Sequence, residues 1–76
     1  MGTRSILRSL GEEVRERRKQ RNLSQEALAL QVGIHATMLG RIERGVYNPS
    51  VLTLAAIAVQ LNTSVLELFA GADKRQ

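Results

Sequence analysis

Arg41 and Thr37 are the residues of this 76-residue sequence whose types best suit polar recognition of a flat partner. A guanidinium presents parallel donors that match two acceptors on one edge, as O6 and N7 of guanine do, a pairing worth about 1–3 kcal/mol of discrimination. The same group can instead bind a phosphate or stay solvated. A threonine offers its hydroxyl to a base edge or its methyl to a thymine, or serves as an ordinary helix-surface residue. Ala36 and Gly40 beside them leave only a thymine-methyl contact or a gap. His35 stands just before these residues, where it could touch a phosphate, cap weakly or lie on the surface. Arg44, Tyr47 and Asn48 follow them and suit phosphate contacts, with loop packing open to Tyr47 and stabilisation of its own turn open to Asn48.

Other chemistries are excluded by composition. With no Cys and one His there is no disulfide scaffold, thiol nucleophile or zinc-finger ligand set, so no metal site is expected. The six glycines, at positions 2, 11, 33, 40, 45 and 71, form neither a GxGxxG nor a Walker loop. Neither an enzyme nor a cofactor is expected.

Eleven Lys and Arg against seven Asp and Glu give a net charge of +4, which favours a polyanion, either nucleic acid or an acidic membrane surface. No run of about 18 apolar residues is present, and Met1 to Leu10 lacks the apolar core of a signal peptide, so a cytoplasmic protein with no membrane partner is expected. At 43% apolar and 24% charged residues the chain has the composition of a folded domain rather than a disordered one.

The elements that must position these residues are helical. Ile6, Leu7, Leu10 and Val14 recur at helical spacing within Ser5 to Arg21, and either Ser5 or the Ser9/Glu12 pair could start that helix. Arg15, Arg17, Lys19 and Arg21 form a basic face on it, open to a polyanion but read for most of them as solvated, with i to i+4 pairing from Glu12, Glu13 and Glu16. Asn22 tolerates the left-handed conformation that ends it. Ser24 caps a second helix to about Val32, with Leu23 and Leu28 spaced as a hydrophobic staple. Gly33 breaks that helix, and a third runs from about His35 to Arg44 with Gly45 as its stop. A turn through Asn48 and Pro49 leads to a fourth helix capped by Ser50 and ending at Leu61 and Asn62. A fifth, with Ser64 and Glu67 as a capping box, should end near Ala70 and Gly71, leaving a frayed tail from Ala72 to Gln76. No segment alternates with period two, so the reading is an all-α bundle of five helices in one domain, 1–76, with its core at about 9–70.

Ser24 to Gly45 reads SQEALALQVGIHATMLGRIERG. Two helices joined steeply by a short turn need a small residue at their approach, a glycine in the turn and apolar residues on both inner faces. Ala29, then Gly33, then Leu28, Val32, Ile34, Leu39 and Ile42 satisfy those needs, which makes 24–45 a helix-turn-helix. The segment resembles the DNA-binding domain of lambdoid-phage repressors and of the wider xenobiotic-response-element family of regulators, over about Leu10 to Phe69. LGEEVRERRKQRNLSQEALA and RIERGVYNPSVLTL match the flanking pattern, and the controller proteins of restriction-modification systems are a similar subgroup. Asn22 departs from the glycine many members carry, and Ala36 from their long polar residue.

The resemblance implies a lambda-repressor-like fold that regulates transcription by binding double-stranded DNA through the recognition helix 35–44. An activator would add RNA polymerase as a partner. It also implies that Gln25 contacts a phosphate and that Arg18 and Glu43 form an inward-facing ion pair. The core is expected from Leu23, Leu28, Val32, Leu39, Ile42, Leu54, Ile57, Ala58, Leu61, Leu68 and Phe69.

The apolar positions of Val51 to Leu61 span an arc on the order of 220°, wider than the roughly 100° one core face needs. Leu52, Val59 and Leu66 fall outside the core face and form the expected homodimer interface, although scattered exposed apolar residues are also normal. A two-fold pair would present its recognition helices about 34 Å apart to a palindromic operator. The alternative is a protein-interaction module, such as an antitoxin or assembly scaffold, using the same fold.

Overall fold

The computed structural model describes residues 2–76, without the side chains of residues 3 and 4; Met1 lies outside the described residues. It contains α1 (Thr3–Gln20), α2 (Gln25–Val32), α3 (Ala36–Glu43), α4 (Val51–Gln60) and α5 (Val65–Lys74), with no strand among the described residues. Helix α1 packs along α5 and against α3, while α2 is held between α3 and α4. Helix α5 turns away from α4 by 92°.

The helix boundaries follow local chemistry at three serines. Ser24, Ser50 and Ser64 each accept a hydrogen bond from a first-turn amide, of Ala27 (3.0 Å), Thr53 (3.0 Å) and Glu67 (3.1 Å) respectively. The ends of α1 to α4 are made by residues with positive φ: Asn22 (57°), Gly33 (85°), Gly45 (75°) and Asn62 (57°). After α1 the Leu23 amide returns to the Arg18 carbonyl and that of Asn22 to Lys19, the paired closure that a left-handed residue permits.

The start of α1 departs from the sequence reading. Its N-cap is Gly2, without a side-chain cap, and Ser9 is buried inside the helix rather than at its start. Against a start at Ser9 two more turns of helix are formed, and against Ser5 less than one, because α1 packs on both α5 and α3, and packing of that kind outweighs the capping preference of an isolated serine. Leu10 and Val14 enter the core alongside Leu28, Ala29, Leu39, Ile42, Leu54, Ile57, Ala58, Leu61, Leu68 and Ala72. Leu23 and Val32 are half-buried against it. Phe69, expected in the core, is instead 39% exposed, because Leu68 and Ala72 take the inward positions of α5.

The expected frayed tail is a further correction. Helix α5 continues to Lys74, Ala72 is fully buried, and Arg75 donates to Glu13 (3.1 Å) and to Glu16, with Glu12 at 3.7 Å. Its hydrogen bond to Glu16, then that to Glu13, raises the pKa of the Arg75 guanidinium against the opposing effect of partial burial. Gln76 donates to the Ser5 carbonyl (3.0 Å) and to Ser9. The carboxylates of α1 thus serve mainly the C-terminus of the chain, with one pair along the helix, Glu13–Arg17 at 2.6 Å.

Candidate nucleic-acid interface

Helix α3 is held from the α1 side by close backbone approach and by buried charge. A Cβ on Gly11 would lie 2.5 Å from the Glu43 carbonyl oxygen and closer still to that of Ile42. A Cβ on Gly45 would lie 2.6 Å from the Cα of Arg8. Only glycine lets α1 come this near, and at Gly45 the positive φ imposes the same choice.

Beside these contacts Glu43 accepts from Arg18 through both oxygens, at 2.7 Å from Nε and 3.0 Å from Nη2. Arg18 Nη1 donates to the Leu23 carbonyl at 2.7 Å, and Gln25 Nε2 donates to Glu43 at 2.9 Å. One carboxylate, 1% exposed, therefore ties α1, the α1–α2 turn, the first residue of α2 and the end of α3 together. The bidentate geometry fixes orientation as well as distance.

With its inner face committed, α3 presents the exposed side chains of Thr37 and Arg41. Ala36 is half-buried and packs against the core. Gly40 is buried: the Gln25 amide and the Arg44 guanidinium lie over it, at 3.6 and 3.3 Å from where its Cβ would stand. The exposed His35 caps α3 through its backbone only, with no side-chain cap hydrogen bond. Arg44 and Asn48 are exposed, and Tyr47 is partly so.

Gln25, Arg44, Glu43 and Arg15 line a polar hollow of about 320 Å³. The sequence pattern groups Arg15 with a mostly solvated face, because only the packing of α1 on α3 brings it beside the start of α2. His35, Thr37, Met38, Arg41 and Tyr47 line a second hollow of about 250 Å³. Met38 was not singled out in the sequence either. It lies between the outward Thr37 and the buried Leu39, and helical phase alone assigns it to neither face.

Among the described residues no group of His, Cys, Asp or Glu is arranged to hold a metal ion. No single described helix is long and apolar enough to cross a membrane.

Two helices at a tight turn, the second braced from behind and carrying polar side chains outward, define a DNA-binding domain of the helix-turn-helix class. The comparisons with known proteins make that assignment specific. A helix-turn-helix family model matches residues 14–68, and the chain belongs to that family of DNA-binding transcriptional regulators. The control protein C.SmaI of Serratia marcescens is 48% identical over 59 residues, covering 78% of this chain and 70% of that protein. The ImmF control region 10 kDa protein of Bacillus phage phi105 is 38% identical over 55 residues, covering 72% of this chain and 61% of that protein. Among solved structures, the restriction-modification controller protein C.AhdI from Aeromonas hydrophila superposes with a TM-score of 0.79 at 35% identity, over 82% of this chain and 94% of that one. C.SmaI and C.AhdI are a control protein and a controller protein respectively.

Proposed function

We propose that the chain is a sequence-specific regulator that binds a palindromic operator as a homodimer and controls a restriction-modification system. The observation that carries the DNA-reading part is the outward face of α3, where Thr37 and Arg41 stand exposed on a helix whose other side is anchored through Glu43. Arg41 reads guanine and Thr37 an adjoining base, with Ala36 leaving room beside them. Gly40 serves by letting Gln25 and Arg44 lie close rather than by touching a base. Gln25, Arg44 and Arg15 meet the phosphate backbone at the start of α2, while His35, Tyr47 and Asn48 flank the groove.

The homodimer is supported by apolar surface left outside the core: Leu52, Val59 and Leu66 are 83%, 71% and 79% exposed. The 35% identity to the restriction-modification controller protein C.AhdI supports the restriction-modification setting.

Selection of bound duplexes from a random pool tests the reading, repeated with Arg41→Ala. A two-fold symmetric consensus is expected, with relaxed preference at one guanine in each half-site in the variant. Binding should also weaken steeply with salt as phosphate contacts release counterions. No enrichment, or affinity indifferent to salt, would favour a protein-interaction module instead.

A further inference from the structure

The hollow beside Arg41 differs in character from two other recesses among the described residues. The one at the start of α2 is lined by Arg15, Gln25, Glu43 and Arg44, and the one along α1 by charges of both signs, Glu12, Arg15, Glu16, Lys19 and Arg75 among them. The hollow of His35, Thr37, Met38, Arg41 and Tyr47 instead combines a thioether and a phenol ring with a polar rim. Met38 is half-buried and seated against the core, so its position is set by packing rather than by solvent. Tyr47 lines it from the loop after α3.

A base edge in the major groove offers donors, acceptors and, on a pyrimidine methylated at C5, one apolar group. An amide or carbonyl edge turned toward Met38 would lose hydrogen bonds to water without replacement. A methyl group loses nothing there and gains burial. The exposed guanidinium of Arg41 on the rim draws the nucleic acid to this place and orients the neighbouring base.

We propose that this hollow receives the C5-methyl group of a pyrimidine in the major groove, with Met38 as the specificity-determining contact beside Arg41. The inference rests on the DNA-reading function proposed above and deepens it. Thymine and 5-methylcytosine share this chemistry, so the site would respond to cytosine methylation as well as to sequence. Burial of one methyl group corresponds to about a fourfold change in affinity.

The test uses the duplex selected by the wild-type protein, with each thymine in turn replaced by deoxyuridine and each cytosine by 5-methylcytosine, at one fixed salt concentration. At one position in each half-site, removal of the thymine methyl should weaken binding about fourfold, or methylation of cytosine strengthen it by a similar factor. In Met38→Ala and in Tyr47→Ser that methyl dependence should fall toward unity, since the two perturbations share one contact. Melting curves accompany both variants; should Met38→Ala fail to fold, Tyr47→Ser, on an exposed loop residue, carries the comparison. A selected duplex with no methyl-dependent position, or a dependence unchanged in the folded variants, overturns the inference while leaving DNA binding intact. Failure to select any duplex removes the DNA-binding reading, and this inference with it.

Discussion

Replacing Glu43 by alanine should cost a large part of the stability of this domain. The Glu43 carboxylate is buried and accepts three hydrogen bonds, two from Arg18 and one from Gln25. In its absence the Arg18 guanidinium, itself buried, keeps only the Leu23 carbonyl. Breaking a buried ion pair by removing one partner costs about 3–5 kcal/mol, because the remaining charge is stranded out of water. A chain of 76 residues has a total stability of roughly 4–11 kcal/mol. Glu43→Ala should therefore lower the melting temperature by about 12 °C or more, at about 4–8 °C per kcal/mol for a domain of this size. Circular dichroism on heating, with a urea titration beside it, measures the change. The double variant Arg18→Met with Glu43→Leu should recover most of the loss, since no charge is then left without its partner. A fall of under about 4 °C in Glu43→Ala, or a double variant less stable than the single, would refute the reasoning.

The other expectations concern separate parts of the structure. Gly11→Ala forces a methyl against the carbonyls of Ile42 and Glu43 and should destabilise by about 1–3 kcal/mol, read as a shift in the urea midpoint. Arg75→Ala should release the C-terminal turn, seen as faster amide exchange over residues 72–76; the effect should be largest at low salt, because these pairs with Glu12, Glu13 and Glu16 are solvent-screened. Val59→Asp with Leu66→Asp should give a folded monomer in sedimentation equilibrium and weak operator binding; an intact dimer would move the interface elsewhere.

Punctuation residues make most of the fold readable in the sequence. Ser24, Ser50 and Ser64 cap where their spacing indicates, and Asn22, Gly33 and Gly45 end helices through the conformation they favour. What local pattern could not convey is contact across the chain. Ser9 has the form of a cap but lies inside α1, and the tail persists because Arg75 reaches Glu16, 59 residues away. Phe69 is the bulkiest apolar residue of α5, yet phase relative to Leu68 and Ala72 decides which side faces inward. At the candidate interface, Thr37 and Arg41 were evident from helical phase. Arg15 and Met38 were not, because the two hollows they line are made by elements that meet only after folding.

Gly11 and Gly45 bring the end of α3 against the backbone of α1, while the opposite end begins at His35 with no side-chain cap. In mechanical terms α3 is a beam clamped at Ile42–Gly45 and resting on the core through Ala36, Met38 and Leu39, with Thr37 and Arg41 on its free face. Exchange of side chains on that free face can change what is read without disturbing the clamp. One scaffold of this kind can thus be re-addressed to new sequences by a few substitutions, its anchorage kept apart from its vocabulary.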